Sequence, residues 1–119
     1  DVLTEDYGKD ILLKIDIEGH ELDALRGGEN FIRKNQPVIC FEQHTEDFID
    51  GSSPTLEFLA KMNYEFYLFV SSYDKFKVNF LKPFLKLFFG DKYKLIKMMN
   101  PKPDFYDSII AIHKDRLIL

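Results

Sequence analysis

The chain has 119 residues, 45% apolar and 30% charged, which suits one globular domain with its own core. No run approaches the ~20 apolar residues of a membrane span, and no signal-peptide pattern is present. The net charge of −4 and the single cysteine, Cys40, argue against nonspecific nucleic-acid binding and exclude an internal disulfide. A cytoplasmic location is the expectation. Charge is uneven: residues 1–60 carry 14 acids and 5 bases, whereas residues 73–103 carry 8 lysines and 2 acids.

Residues 1–9 are polar and read as a helix end and loop. The chain does not begin with Met, and it reads like the interior of a longer protein. Residues 10–17 read as a buried strand, with Lys14, Asp16 and Glu18 on one face and Leu13, Ile15 and Ile17 on the other. Gly19 breaks the strand. From Glu21 to Asn35 the spacing of Leu22, Leu25, Phe31 and Ile32 predicts a helix, weakened at Gly27-Gly28 and stopped before Pro37. Pro37 to Gln43 is a second strand, with Cys40 expected as a buried thiol.

A polar loop, His44 to Ser53, follows. Ser53 suits an N-cap with Pro54 at the first helical position. The helix should run to about Met62 and bury Leu56, Leu59 and Ala60. Tyr64 to Val70 reads as a third strand. Within 71–104, Pro83 can start a helix, Gly90-Asp91 break it, and Tyr93 to Met99 form another. Asp107 to His113 is the last strand. The order β-α-β-α-β, an insertion, then β implies parallel pairing through right-handed crossovers, with the last strands free to pair antiparallel.

The chemistry concentrates at strand ends. Asp16, Glu18, His20 and Glu21 follow the first strand, and Glu42 and His44 end the second. If the two strands are parallel neighbours, Glu18, His20, Glu42 and His44 converge on one edge. Carboxylates there can position a hydroxyl or accept its proton. The plainer alternatives are acids favouring a helix N-terminus and solvated loop residues. Lys14 can simply neutralise Asp16. Neither histidine spacing matches a zinc signature, so no metal is expected. His113 is read as structural or solvated. The segment Phe76 to Met99 interleaves lysines with aromatics. It suits a lid over the core or contact with a membrane surface. No RNP-like motif, GxSxG elbow, Walker loop, CxxC or GxGxxG is present.

The run Leu13-Lys14-Ile15-Asp16-Ile17-Glu18-Gly19-His20-Glu21, then Leu25-Arg26-Gly27-Gly28, then Pro37-Val38-Ile39-Cys40-Phe41-Glu42, closely resembles the FkbM family of methyltransferases. Ser108 to Lys114 also resembles that family's closing strand. The match covers about residues 10–44, and 71–104 resembles nothing familiar. The resemblance implies an α/β fold, the C-terminal half of a Rossmann-like class I methyltransferase. Residues 10–17, 37–43, 64–70 and 106–113 would be strands four to seven of a seven-stranded sheet, the last inserted antiparallel between five and six. It implies S-adenosylmethionine as cofactor and a hydroxyl acceptor on a sugar, glycan or natural product.

Carried over, Asp16, Glu18, His20 and Glu42 are the catalytic candidates. Asp16 is also the cofactor-binding candidate, and no metal is implied. The glycine-rich cofactor loop belongs to strands that would precede residue 10. Residues 1–119 alone are therefore expected to bind cofactor weakly and be inactive. The strand at 10–17 would be an exposed edge that invites dimerisation. The rival reading is a non-catalytic α/β interaction module that binds a partner or membrane surface through 76–99.

Overall fold

A computed structural model describes residues 11–71 and 93–117. The expectations for residues 1–9, for helices near Pro83 and for most of the basic aromatic segment 76–99 lie outside those residues. The elements are β1 (Leu12–Ile15), α1 (Glu21–Gly27), α2 (Glu29–Asn35), β2 (Val38–Gln43), α3 (Pro54–Lys61), β3 (Tyr64–Ser71), β4 (Tyr93–Lys97) and β5 (Tyr106–His113). Single 3-10 turns lie at Thr45–Asp47 and Lys114–Arg116.

The five strands form one sheet in the order β1-β2-β5-β3-β4. β1 and β2 are parallel, as their helical connection requires. β5 runs antiparallel to both β2 and β3, so the last strand sits between them as expected. β1, β2 and β3 therefore all point the same way, and their carboxyl ends share one edge of the sheet.

Register rows explain the core. Ile15 pairs with Phe41, Phe41 with Ile109, and Ile109 with Leu68; Leu13, Ile39, Ala111 and Phe66 form the next row. Paired residues face the same side. On that side Leu25 of α1, Phe31 and Ile32 of α2, and Leu56 and Leu59 of α3 pack onto the strands. Leu25, Ile39, Leu59, Ile109 and Ala111 are wholly buried. Burying each large aliphatic side chain contributes about 1.5–3 kcal/mol. The opposite face carries the row Lys14, Cys40, Ile110, Tyr67 and Lys97. Among the described residues no helix covers it.

Tyr64 ties two core elements together. Its hydroxyl donates to the Pro37 carbonyl oxygen at 3.0 Å, and its ring meets His113 edge-on at 5.3 Å. Burial pushes its phenol far above the ordinary value, only partly opposed by Arg116. His113 is buried, and its Nδ1 accepts from the Asp115 amide at 3.3 Å, a structural role.

Several expectations change. The first strand is shorter than 10–17 and only Ile15 in it is buried; Leu12 is 68% exposed. β1 is an edge strand among the described residues, and Leu12 and Lys14, which share one of its faces, are exposed. The long helix 21–35 is two helices that meet at Gly28. Backbone bonds from Gly28 N to Ala24 O and from Ile32 N to Gly28 O carry the chain through the joint. The glycine pair supplies little helical preference, which makes the joint the weakest turn. Tyr93 to Met99 is not a helix; Tyr93–Lys97 is β4, paired with β3 from Ser71↔Tyr93 to Tyr67↔Lys97. In α3, Thr55 is buried and Ala60 is exposed. Cys40 is half-buried, because its strand position faces the open side.

Candidate functional site

The site lies at the carboxyl edge, where β1 and β2 end. After Ile15 the chain leaves the strand and turns at Glu18 (φ +45°) and Gly19 (φ +86°). Glycine takes this left-handed conformation freely; Glu18 does so against the preference of a residue with a Cβ. The turn takes Glu18 off the face it would share with Lys14 and Asp16 in a continuing strand. It is closed by Glu21, the first residue of α1, which is buried and accepts from the Ile17 amide at 3.4 Å.

β2 ends at an irregularity. Phe41 pairs with Ile109 and Gln43 with Tyr106, so two steps on β2 match three on β5. The extra residue makes a bulge beside Glu42, a feature that re-aims side chains at sheet edges. Gln43 points into the core and is 1% exposed. Ser53 donates its hydroxyl to Gln43 Oε1 at 2.7 Å, and Ser53 Oγ itself accepts the Leu56 amide at 3.2 Å, capping α3. Glu42 and His44, one residue either side of Gln43, are therefore held from a fixed point.

Glu18, Gly19, Glu42, His44, Glu46 and Asp47 line one open cavity of about 290 Å³. His44 Nε2 is buried and lies 3.7 Å from Glu42 Oε2, too far for a hydrogen bond. The His44 ring packs on Phe105, with centroids 5.1 Å apart. Asp47 accepts from the His44 amide at 2.7 Å and returns its own amide to the His44 carbonyl oxygen at 3.1 Å. This reciprocal pair fixes the 3-10 turn and the histidine backbone. An adjoining cavity of about 240 Å³ shares Gly19, Glu46 and Asp47 and extends to Glu21, Leu22 and Thr55.

Three of the four residues expected to converge therefore do so: Glu18, Glu42 and His44. His20 does not line this cavity. It precedes α1, is 75% exposed in its side chain, and lies 3.7 Å from Asp23. Asp16 stands at the same edge outside the cavity, 3.3 Å from Lys14 Nζ. The neutralising role weighed for Lys14 is the geometry observed, and as an exposed pair it contributes little stability. The sequence reading missed Glu46 and Asp47. The available signal was the three-residue spacing from His44 to Asp47 immediately after a strand, which suits a capping turn. Among the described residues no group of three or more His, Cys, Asp or Glu side chains is arranged to hold a metal ion.

The methyltransferase FkbM domain model matches residues 1–66, more than half of the chain. The chain belongs to the FkbM methyltransferase family. The match takes in β1, α1, α2, β2 and α3, hence every residue that lines the cavity. No curated protein and no solved structure matches the chain. Among the described residues of this FkbM-family chain, no helix is long and apolar enough to cross a membrane.

Proposed function

We propose that this chain is the acceptor-binding, C-terminal part of an S-adenosylmethionine-dependent O-methyltransferase that acts on a sugar, glycan or natural-product hydroxyl. The observation that carries the reading is the meeting of Glu18, Glu42 and His44, from the ends of two parallel strands, in one cavity. Ligands of open α/β sheets bind outside the carboxyl ends of the strands. In this reading β1, β2, β3 and β5 are strands four, five, six and seven of a Rossmann-like class I sheet. The antiparallel position of β5 between β2 and β3 supports that numbering.

The edge also suits the donor. S-adenosylmethionine supplies an electrophilic methyl group on a sulfonium and carries a cationic ammonium. An edge bearing Asp16, Glu18 and Glu42 favours positive charge. Asp16, free of the cavity and half-exposed, is the residue proposed to hold the donor. Transfer to oxygen requires an aligned hydroxyl that loses its proton. Glu18 and Glu42 are acceptor-only when ionised, so each can take a hydrogen bond from that hydroxyl and orient a lone pair. His44, its Nε2 3.7 Å from Glu42 Oε2, would take part in moving the proton only if the two draw within hydrogen-bond reach when the acceptor binds. His20, outside the cavity and exposed before α1, is kept as a candidate through its place in the motif alone.

The test is methyl transfer by the full-length enzyme with Glu18→Gln, Glu42→Gln and Asp16→Asn. Loss of the general base should lower turnover by about 10²-fold or more in one of the first two. Asp16→Asn should weaken donor binding measured by calorimetry. Unchanged turnover in both glutamine variants would remove the cavity from the mechanism.

A further inference from the structure

We infer that Phe105 is a specificity-determining residue of this cavity, the stacking platform for a neutral, hydroxyl-rich ring, and that the cavity rejects anionic acceptors. The inference rests on the reading of the cavity as the acceptor site. Phe105 lies well beyond residues 1–66, so nothing in the family match assigns it a role.

Two observations meet here. The first is chemical asymmetry. The cavity wall supplies four carboxylates, from Glu18, Glu42, Glu46 and Asp47, with His44 the sole group among the lining residues that can carry positive charge. Carboxylates accept hydrogen bonds from hydroxyls and repel carboxylate or phosphate groups on a ligand. The second is an exposed aromatic ring that does not itself line the cavity but packs on His44, which does. Phe105 is 52% exposed, although one side of its ring packs on His44 at 5.1 Å with a 54° tilt. It directly precedes β5, whose first residue Tyr106 is anchored by its hydroxyl to the Lys102 carbonyl oxygen at 2.9 Å and faces the Phe48 ring at 6.3 Å. The backbone that carries Phe105 is thus pinned from both sides, so its ring is presented rather than left to wander.

A ligand that satisfies both features has hydroxyls along one edge and a face of C–H bonds. A neutral pyranoside has that form. Its hydroxyls would meet the glutamates and its apolar face would cover the free side of Phe105. Binding sites of this kind combine aromatic walls with a few placed polar groups.

The test uses the full-length protein and a panel of neutral methyl pyranosides with their matching uronates, followed by saturation-transfer NMR. Neutral glycosides should bind, with transfer strongest at their ring C–H protons. Uronates should bind at least tenfold more weakly at low salt, and the gap should narrow as salt is added. Phe105→Ala should weaken the neutral glycosides about tenfold, and Phe105→Tyr should restore them. Melting curves will show whether either variant is unfolded, and half-exposure of the ring predicts that neither is. Absence of neutral glycoside binding, equal uronate binding, or wild-type affinity in Phe105→Ala would each overturn the inference. Donor calorimetry separates the two claims: donor binding without glycoside binding sinks this inference alone, whereas glycoside binding without donor binding sinks the methyltransferase reading.

Discussion

Ser53→Ala would remove one hydroxyl that fills two posts. Ser53 is 3% exposed and sits at the N-cap of α3. Its oxygen accepts the Leu56 amide and its proton goes to the buried side-chain carbonyl of Gln43. Loss of a serine cap costs about 1 kcal/mol. A buried carbonyl stripped of its donor costs about 1–3 kcal/mol more. The expected loss is therefore roughly 2–4 kcal/mol, a large share of the ~5–15 kcal/mol that holds a domain of this size. Urea unfolding followed by circular dichroism would measure it, with Gln43→Leu and the double variant completing a cycle. If the hydroxyl and the amide act as a pair, the double variant should lose clearly less than the sum of the singles. A Ser53→Ala loss under about 0.5 kcal/mol, or additive singles, would refute the reasoning. The same contact anchors β2 between Glu42 and His44, so methyl transfer should fall in Ser53→Ala even where the protein remains folded.

Gly19→Ala should not clash, because a Cβ there meets nothing within 4 Å, but its φ of +86° is strained for alanine. A stability loss of about 1 kcal/mol is expected from thermal melts, and an alanine variant as stable as the parent would show that the turn can relax. Glu65 accepts from Lys97 Nζ at 2.8 Å and from the Tyr67 hydroxyl at 3.1 Å, and the Lys97 bond above all holds its carboxyl below the usual 4.5. A depressed carboxyl stabilises the fold above its unfolded value and loses that contribution as pH falls through the lower folded value. Lys97, raised mainly by its bond to Glu65, contributes below 10.5 and loses this as pH rises through its raised value. Amide exchange across β3 and β4 should therefore quicken at both extremes, and Glu65→Gln should flatten both limbs; an unchanged acid limb would show that the pair does not hold the edge. Leu12 is 68% exposed on β1, an edge strand among the described residues, and is placed to mediate pairing between copies. Sedimentation at high concentration should show association that Leu12→Lys abolishes, and a monomeric parent would exclude edge pairing.

The sequence was legible where local pattern and tertiary demand agree. Ile39 and Phe41 alternate with half-buried neighbours, and the strand they announce is β2. Ser53-Pro54 announces α3 because capping chemistry is local. Tyr93–Lys97 was misread because Tyr-Lys-Leu-Ile-Lys suits either a helix or a strand; pairing with β3 decides, and that partner is distant along the chain. The site divides in the same way. Glu18, Glu42 and His44 could be foreseen to meet because parallel strands deliver their ends to one edge. Glu46 and Asp47 are harder to place, since a polar loop has no period, and the His44-to-Asp47 spacing is the one local sign of the turn that carries them. His20 was grouped with the others by its place in the motif. One residue past Gly19 the chain is already turning into α1, and a side chain entering a helix is directed by the helix, not by the strand before it. The bulge opposite Glu42 adds a further element that no pattern in β2 reveals, because the extra residue is on β5. The chemistry of this edge is thus set jointly by the motif that follows β1 and by a strand some ninety residues later, which is why Phe105, at the entrance to that strand, belongs in any account of what the cavity accepts.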